Sequence, residues 1–251
     1  MGTLVCYSAG IELMPMAASI LRLSNNIKKI NNFIGLGLGS ILSLLLVIGY
    51  MPCDLVHMLI IVDFYELLIP RWHSIQNYGL CDSSLFAKWL QCKLQSKHIP
   101  HDITFLQLYK RSNRILRIMA TCLNTSRCVL FDHLKTPNFK VVEVTMAASC
   151  PIFVMERRYI QTMSYVPAQW SVFPKLRMTK PVILVYCEFI CNISSWSKIA
   201  EIILENYYND LKACVKSMDG NIMMSSTILQ NMILHHKFVL KCTSFARGFF
   251  C

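Results

Sequence analysis

Residues 33–51 read FIGLGLGSILSLLLVIGYM, nineteen residues without a charge. Glycines alternate at Gly35, Gly37 and Gly39, and from Ile41 the run is apolar except for Ser43. A run of roughly 20 apolar residues is long enough to span a bilayer. The same letters also fit a buried strand end, a glycine turn and a buried helix inside an α/β domain. These two outcomes imply different proteins, a membrane protein anchored by residues 33–51 or a globular one.

The surroundings bear on the choice. The chain has 251 residues, enough for one large α/β domain with a real core. It is 54% hydrophobic and 16% charged, with no low-complexity tract, repeat or linker to mark a domain boundary. A single domain over residues 1–251 is therefore expected. The net charge of +11 favours anionic partners. Its densest clusters are Lys110-Arg111 with Arg114 and Arg117, and Arg157-Arg158. No basic run interleaved with aromatics occurs, so a nucleic-acid module is not expected. Twelve cysteines include no Cys-x-x-Cys pair and no zinc-ligand spacing. Several, such as Cys150, Cys187 and Cys191, sit in apolar stretches, as reduced buried thiols of a cytoplasmic protein do. The first residues, MGTLVCYSAGIELM, lack a basic segment ahead of their apolar part and match a secretory signal or a myristoylation site poorly.

In chain order, residues 3–7 (TLVCY) predict a strand and residues 14–23 a helix, with Pro15 tolerable in its first turn. Residues 25–32 form a polar break before a second strand starting at Phe33. Strand, helix and strand within some 35 residues is the rhythm of a parallel sheet. Residues 54–68 predict a helix with Asp54 as N-cap, and residues 83–94 another, capped by Asp82 or Ser83. Residues 102–109 predict a short helix or turn packing Phe105 and Leu108. Residues 114–124 read as a strand with 128–131 as its hairpin partner, and residues 182–190 as a further strand. Residues 140–149 fit strand or helix by pattern alone. Residues 197–218 are amphipathic and end before Gly220, with a last helix over 222–240, so that 195–251 forms a helical C-terminal part.

A strand ending in alternating glycines, followed by a buried helix, is the layout of a nucleophile elbow. There the flanking glycines let backbones pass closely, and a nucleophile stands between them. Here that slot holds Gly37, which has no side-chain oxygen. Several segments in order resemble the patatin-like phospholipases, lipid acyl hydrolases with a Ser-Asp dyad, over roughly residues 3–174. They are Asn32 to Ile41 with the Gly49-Tyr50-Met51-Pro52 turn, Asn77-Tyr78-Gly79-Leu80 with Asp82, and Thr104-Phe105. Met119 to Thr125 and Val141-Val142-Glu143 with Pro151 complete the series. The resemblance implies a patatin-like three-layer α/β fold, with a central, mostly parallel sheet flanked by helices, and makes 140–149 helical.

It also implies what is missing. The elbow glycines match at Gly35, Gly37 and Gly39, with Gly37 on the nucleophile position. The oxyanion loop falls on Ser8, Ala9 and Gly10, of which only Gly10 keeps the pattern. Glu12 stands where the family prefers a basic residue, and Leu13 where it has a glycine. A carboxylate there opposes the negative charge that must develop. Pro167 falls on the position of the catalytic aspartate, and a proline side chain neither accepts nor donates a proton. The expectation is a pseudoenzyme, with no intact catalytic residue. It would bind lipid, a membrane surface or a protein partner, in the cytoplasm or peripherally on a membrane. The alternative is a lipid acyl hydrolase with a relocated nucleophile, for which Ser40 is the weak candidate. No metal or other cofactor is expected.

The remaining candidates have plainer readings. Asp63 and Glu66 read as the solvent side of a helix and not as an acid/base pair. Asp132-His133 reads as a loop after a strand. His235-His236 are adjacent and do not face one metal ion on a helix. Phe245, Phe249 and Phe250, with Lys241 and Arg247, read equally as a membrane contact or a frayed tail.

Overall fold

The computed structural model describes residues 2–8, 13–62, 67, 69–71, 74, 79–125, 127–150, 153–156, 158–168 and 182–187. Strand β1 (Gly2–Ser8) leads to helix α1 (Leu13–Leu21) and a single turn, α2 (Ser24–Ile27). The polar break thus holds a short helix, and β2 (Ile30–Gly37) starts three residues earlier than the apolar letters indicate. Asn32 extends that start by donating its side-chain N–H to Thr3 of β1 at 2.9 Å. From Phe33 to Gly37 β2 is buried without interruption, as a central parallel strand covered on both faces must be.

Helix α3 (Gly39–Val47) follows after one residue, and all nine of its residues are buried. Residues 33–51 are therefore divided between a strand and a helix about 14 Å long. That is half the thickness of a bilayer core. Among the described residues no helix is long and apolar enough to cross a membrane, which overturns a span at 33–51. The C-terminal end of α3 is capped from a distance: Arg114 donates from Nη1 to the Leu46 carbonyl at 2.7 Å. A cation at that end also suits the helix dipole.

Helix α4 (Pro52–Ile61) begins at the proline, whose fixed φ suits the first helical position. Asp54 is consequently inside the helix and not its N-cap: its Oδ2 accepts the Met51 N–H at 3.0 Å from the third position. The helix ends at Ile61, so the expected span to residue 68 is not reached. Next come β3 (Gly79–Cys81) and α5 (Ser84–Gln95), with Ser83 as N-cap and Asp82 accepting the Ser84 N–H at 2.8 Å. Helix α6 (Phe105–Ser112) buries Phe105 and Leu108 and carries a reciprocal cap. Gln107 accepts the Thr104 N–H at 3.0 Å, and Thr104 accepts the Gln107 N–H at 3.4 Å.

Strands β4 (Ile115–Cys122) and β5 (Arg127–Phe131) form the expected antiparallel pair. Residues 141–149 are helical, as α7 (Val141–Ser149). Sequence reading missed the short strands β6 (Phe153–Met155), β7 (Arg158–Ile160) and β8 (Met163–Pro167). Strand β9 (Val182–Cys187) closes the described chain, and the predicted helices at 197–218 and 222–240 lie outside the described residues.

The main sheet is ordered β7-β8-β4-β2-β1-β9, with β5 also paired to β4. Strands β9, β1, β2 and β4 are mutually parallel, and β3 and β6 form a separate small sheet. Helix α3 packs on β1, β2 and α7. The result is a mixed sheet, mostly parallel and flanked by helices. Cys6, Cys53, Cys92, Cys122 and Cys150 form no disulfide. Cys6, Cys81, Cys122 and Cys150 are buried, but Cys53 and Cys92 are exposed.

Candidate functional site

The parallel strands β1 and β2 end together, with Ser8 opposite Gly37. On the other side of β2, Leu36 lies opposite Met119 of β4. Strand β4 runs further. Met119 and Ala120 also pair with Leu130 and Val129 of β5, which must therefore occupy the second edge of β4. Ala120, Thr121 and Cys122 pair with Pro167, Val166 and Tyr165 of β8. Because β5 fills one edge, β8 lies on the same edge as β2. The two strands meet end to end along β4, Leu36 opposite Met119 and Pro167 opposite Ala120. So the positions singled out in sequence come together: Ser8, Gly37 and Pro167 gather at the C-terminal ends of the parallel strands. Open α/β sheets bind ligands at that edge.

The elbow itself is a close-packing device. Gly37 sits at φ 57°, the left-handed region that glycine enters without strain. A Cβ on Gly35 would lie 2.3 Å from the Ser40 Cα, and one on Gly39 would lie 2.1 Å from the Cys6 carbonyl oxygen. Strand and helix thus cross backbone on backbone, and Gly35 and Gly39 are fixed by space. The turn aims the N-terminus of α3 at the strand end, where it favours negative charge. Gly37 places no atom there to carry it.

Ser40 is fully buried on the first turn of α3, and its hydroxyl has no hydrogen-bond partner among the described residues. Its Cα lies beneath Gly35, so the helix and β2 close over it. Ala9, Gly10 and Glu12 lie outside the described residues, and Leu13 opens α1.

One group in this neighbourhood escaped sequence reading. Cys122 ends β4 opposite Tyr165. The Thr125 hydroxyl, with the backbone N–H groups of Thr125 and Asn124, draws its thiol below the usual range against the opposing effect of burial. Burial, and then the Cys122 charge, raise the Tyr165 hydroxyl. The signal was the Asn-Thr turn directly after a strand-end cysteine.

The other candidates have structural partners. Asp132 accepts the N–H groups of Leu134 and Lys135 at 2.9 and 2.7 Å and pairs with Arg117 at 3.8 Å. His133 stacks on Tyr109 with centroids 4.0 Å apart. The pair is a turn and not a relay. Part of each basic cluster is likewise engaged: Arg114 caps α3, Arg117 faces Asp132, and Arg158 donates to Ser83 at 2.7 Å, whereas Lys110 and Arg111 are exposed. Among the described residues no group of three or more His, Cys, Asp or Glu could hold a metal ion. Asp63, Glu66, His235, His236 and the C-terminal aromatics lie outside the described residues.

No family model matches the chain. It is 24% identical over 238 residues to a protein of Invertebrate iridescent virus 6 named probable lipid hydrolase 463L, covering 86% of this chain and 82% of that one. Among solved structures it resembles VipD from Legionella pneumophila, with a TM-score of 0.51, 11% identity and 90% of this chain covered. It also resembles the type III effector ExoU, with a TM-score of 0.50 and 11% identity, again over 90% of this chain. The chain spans 60% of VipD and 46% of ExoU. The fold is the patatin-like α/β fold. A relative named as a probable lipid hydrolase thus aligns along most of both chains, and the solved structures share the patatin-like fold.

Proposed function

We propose that this protein is a catalytically silent member of the patatin-like family, one that binds lipid, a membrane surface or a protein partner and does not hydrolyse acyl esters. One observation carries the reading: the strand ends that meet at the sheet edge bear Gly37 and Pro167. Covalent acyl transfer needs an oxygen or sulfur nucleophile and a group to take its proton. Glycine has no side-chain atom for the first role, and proline has no lone pair for the second. Glu12, between β1 and α1 in the sequence, is a charge of the wrong sign for an oxyanion. In this reading the protein is cytoplasmic and peripheral, and its ligand is held at the C-terminal edge of the sheet.

A second reading, a lipid acyl hydrolase working through Ser40, draws support from the name of the viral relative. The burial of Ser40 beneath Gly35 opposes it. Both readings are tested with purified protein on a fluorogenic phospholipid and a p-nitrophenyl ester. No turnover above buffer is expected, and Gly37→Ser alone does not introduce any, because Pro167 still supplies no base. Turnover that disappears in Ser40→Ala overturns the proposal. Hydrolysis by the Gly37→Ser variant shows that position 37 is the nucleophile slot and that the base is supplied from somewhere other than position 167.

A further inference from the structure

Strands β4, β5, β7 and β8 continue past the ends of β1 and β2. Leu123 stands three residues beyond Ala120, about 10 Å above the row that holds Pro167. The β7–β8 turn reaches the same height, because Leu123 donates its N–H to the Ser164 carbonyl at 2.9 Å. Asn124 accepts the Ser164 N–H at 2.8 Å and fixes the two segments together. Apolar side chains crown this rim: Leu123 is 43% exposed and Met163 38% exposed, with Tyr159 beside them. The turn is held by Gln161 at φ 56°. Between residues 121 and 128 and between 158 and 165 the chain carries Arg127 and Arg158 but no Asp or Glu. Arg127 is exposed, whereas Arg158 is partly buried against Ser83.

An apolar crown with an exposed cation and no carboxylate is complementary to an anionic bilayer surface, where apolar tips enter the headgroup layer and cations meet lipid phosphates. We propose that the tip formed by Leu123, Met163 and the β7–β8 turn docks the protein on anionic membranes, with the sheet edge of Gly37 and Pro167 turned toward the bilayer. The docking surface gives the lipid-binding reading above its orientation and rests on it for the nature of the ligand.

The test is flotation of the full chain with vesicles of phosphatidylcholine alone or mixed with phosphatidylserine. The wild type is expected to float with the mixed vesicles and not with phosphatidylcholine alone. Leu123→Asp combined with Met163→Asp reduces the bound fraction at least about tenfold. Gln161→Asp is a milder second variant: it removes no packing, suits a positive φ, and weakens binding to a smaller extent. Wild-type flotation on neither vesicle, equal flotation on both, or variants that float like the wild type overturns the proposal. A titration with a soluble short-chain phosphatidylcholine below its micelle concentration, read by tryptophan fluorescence, separates the two ideas. Retained short-chain binding in the double variant supports tip docking. Vesicle binding that depends on the tip, with no short-chain binding by any form, leaves the docking surface standing and removes the lipid-ligand reading.

Discussion

Replacing Gly39 by alanine sets two opposing effects against each other at the elbow. Alanine is the better helix former by about 1 kcal/mol, and Gly39 is the first residue of α3. Its new Cβ, however, would lie 2.1 Å from the carbonyl oxygen of Cys6 and 2.4 Å from the carbonyl carbon. Both belong to the backbone of β1, which is paired on both edges, to β2 and to β9. No rotamer change relieves the contact. The helix must move off the sheet by about an ångström, and all nine of its residues are buried. Overpacking of this kind costs about 1–3 kcal/mol, and the upper end applies where backbone meets backbone. The net loss is about 2 kcal/mol, roughly thirtyfold in the folding equilibrium. In a chain of this size that lowers Tm by about 4–8 °C. Urea and thermal unfolding followed by circular dichroism measure it. Gly49→Ala is the control: Gly49 has φ 99° with open space around its Cβ, so only backbone strain of about 1–2 kcal/mol is expected there. A Gly39→Ala protein as stable as the wild type refutes the close approach of α3 to β1 and the elbow built on it.

Three further outcomes are expected. Arg114→Met keeps the aliphatic stem but strips the Leu46 carbonyl of its charged donor, and a loss of about 1–2 kcal/mol in urea unfolding checks it. Burial raises the Asp82 carboxyl, but the two Ser84 hydrogen bonds and the charges of Arg71 and Arg158 more than offset this and hold it below its usual range. A depressed carboxyl contributes stability above its unfolded value, near 4, that is lost as pH falls through the lower folded value. Asp82→Asn should therefore flatten the acid limb of a stability-against-pH curve, and an unchanged limb contradicts the network. Burial pushes the thiols of Cys6 and Cys150 up to about 12. In native protein at mildly alkaline pH, site-by-site mass spectrometry after maleimide labelling should find Cys53 and Cys92 modified and Cys6 and Cys150 intact until denaturant is added.

The sequence alone determined what depends on neighbouring residues. Continuous burial of β2 and α3 was written in an uncharged run, the start of α5 in Asp82-Ser83, and the β4–β5 hairpin in two apolar stretches close in sequence. The absence of a nucleophile at Gly37 and of a base at Pro167 is a matter of residue identity and needed no coordinates. What only the tertiary structure decided are relations between distant parts of the chain. Asp54 was misplaced as a cap because Pro52 sets the helix start, and the short strands β6 to β8 were missed because their pairing partners, not their own letters, make them strands. Arg114, Arg117 and Arg158 read as a basic surface until their partners Leu46, Asp132 and Ser83 were placed. Above all, residues 37 and 167 are brought to one edge because β5 occupies the far side of β4 and leaves β8 only the end of β2. Strand register is fixed by hydrogen bonds between segments far apart in sequence, and local pattern carries no record of which edge remains open.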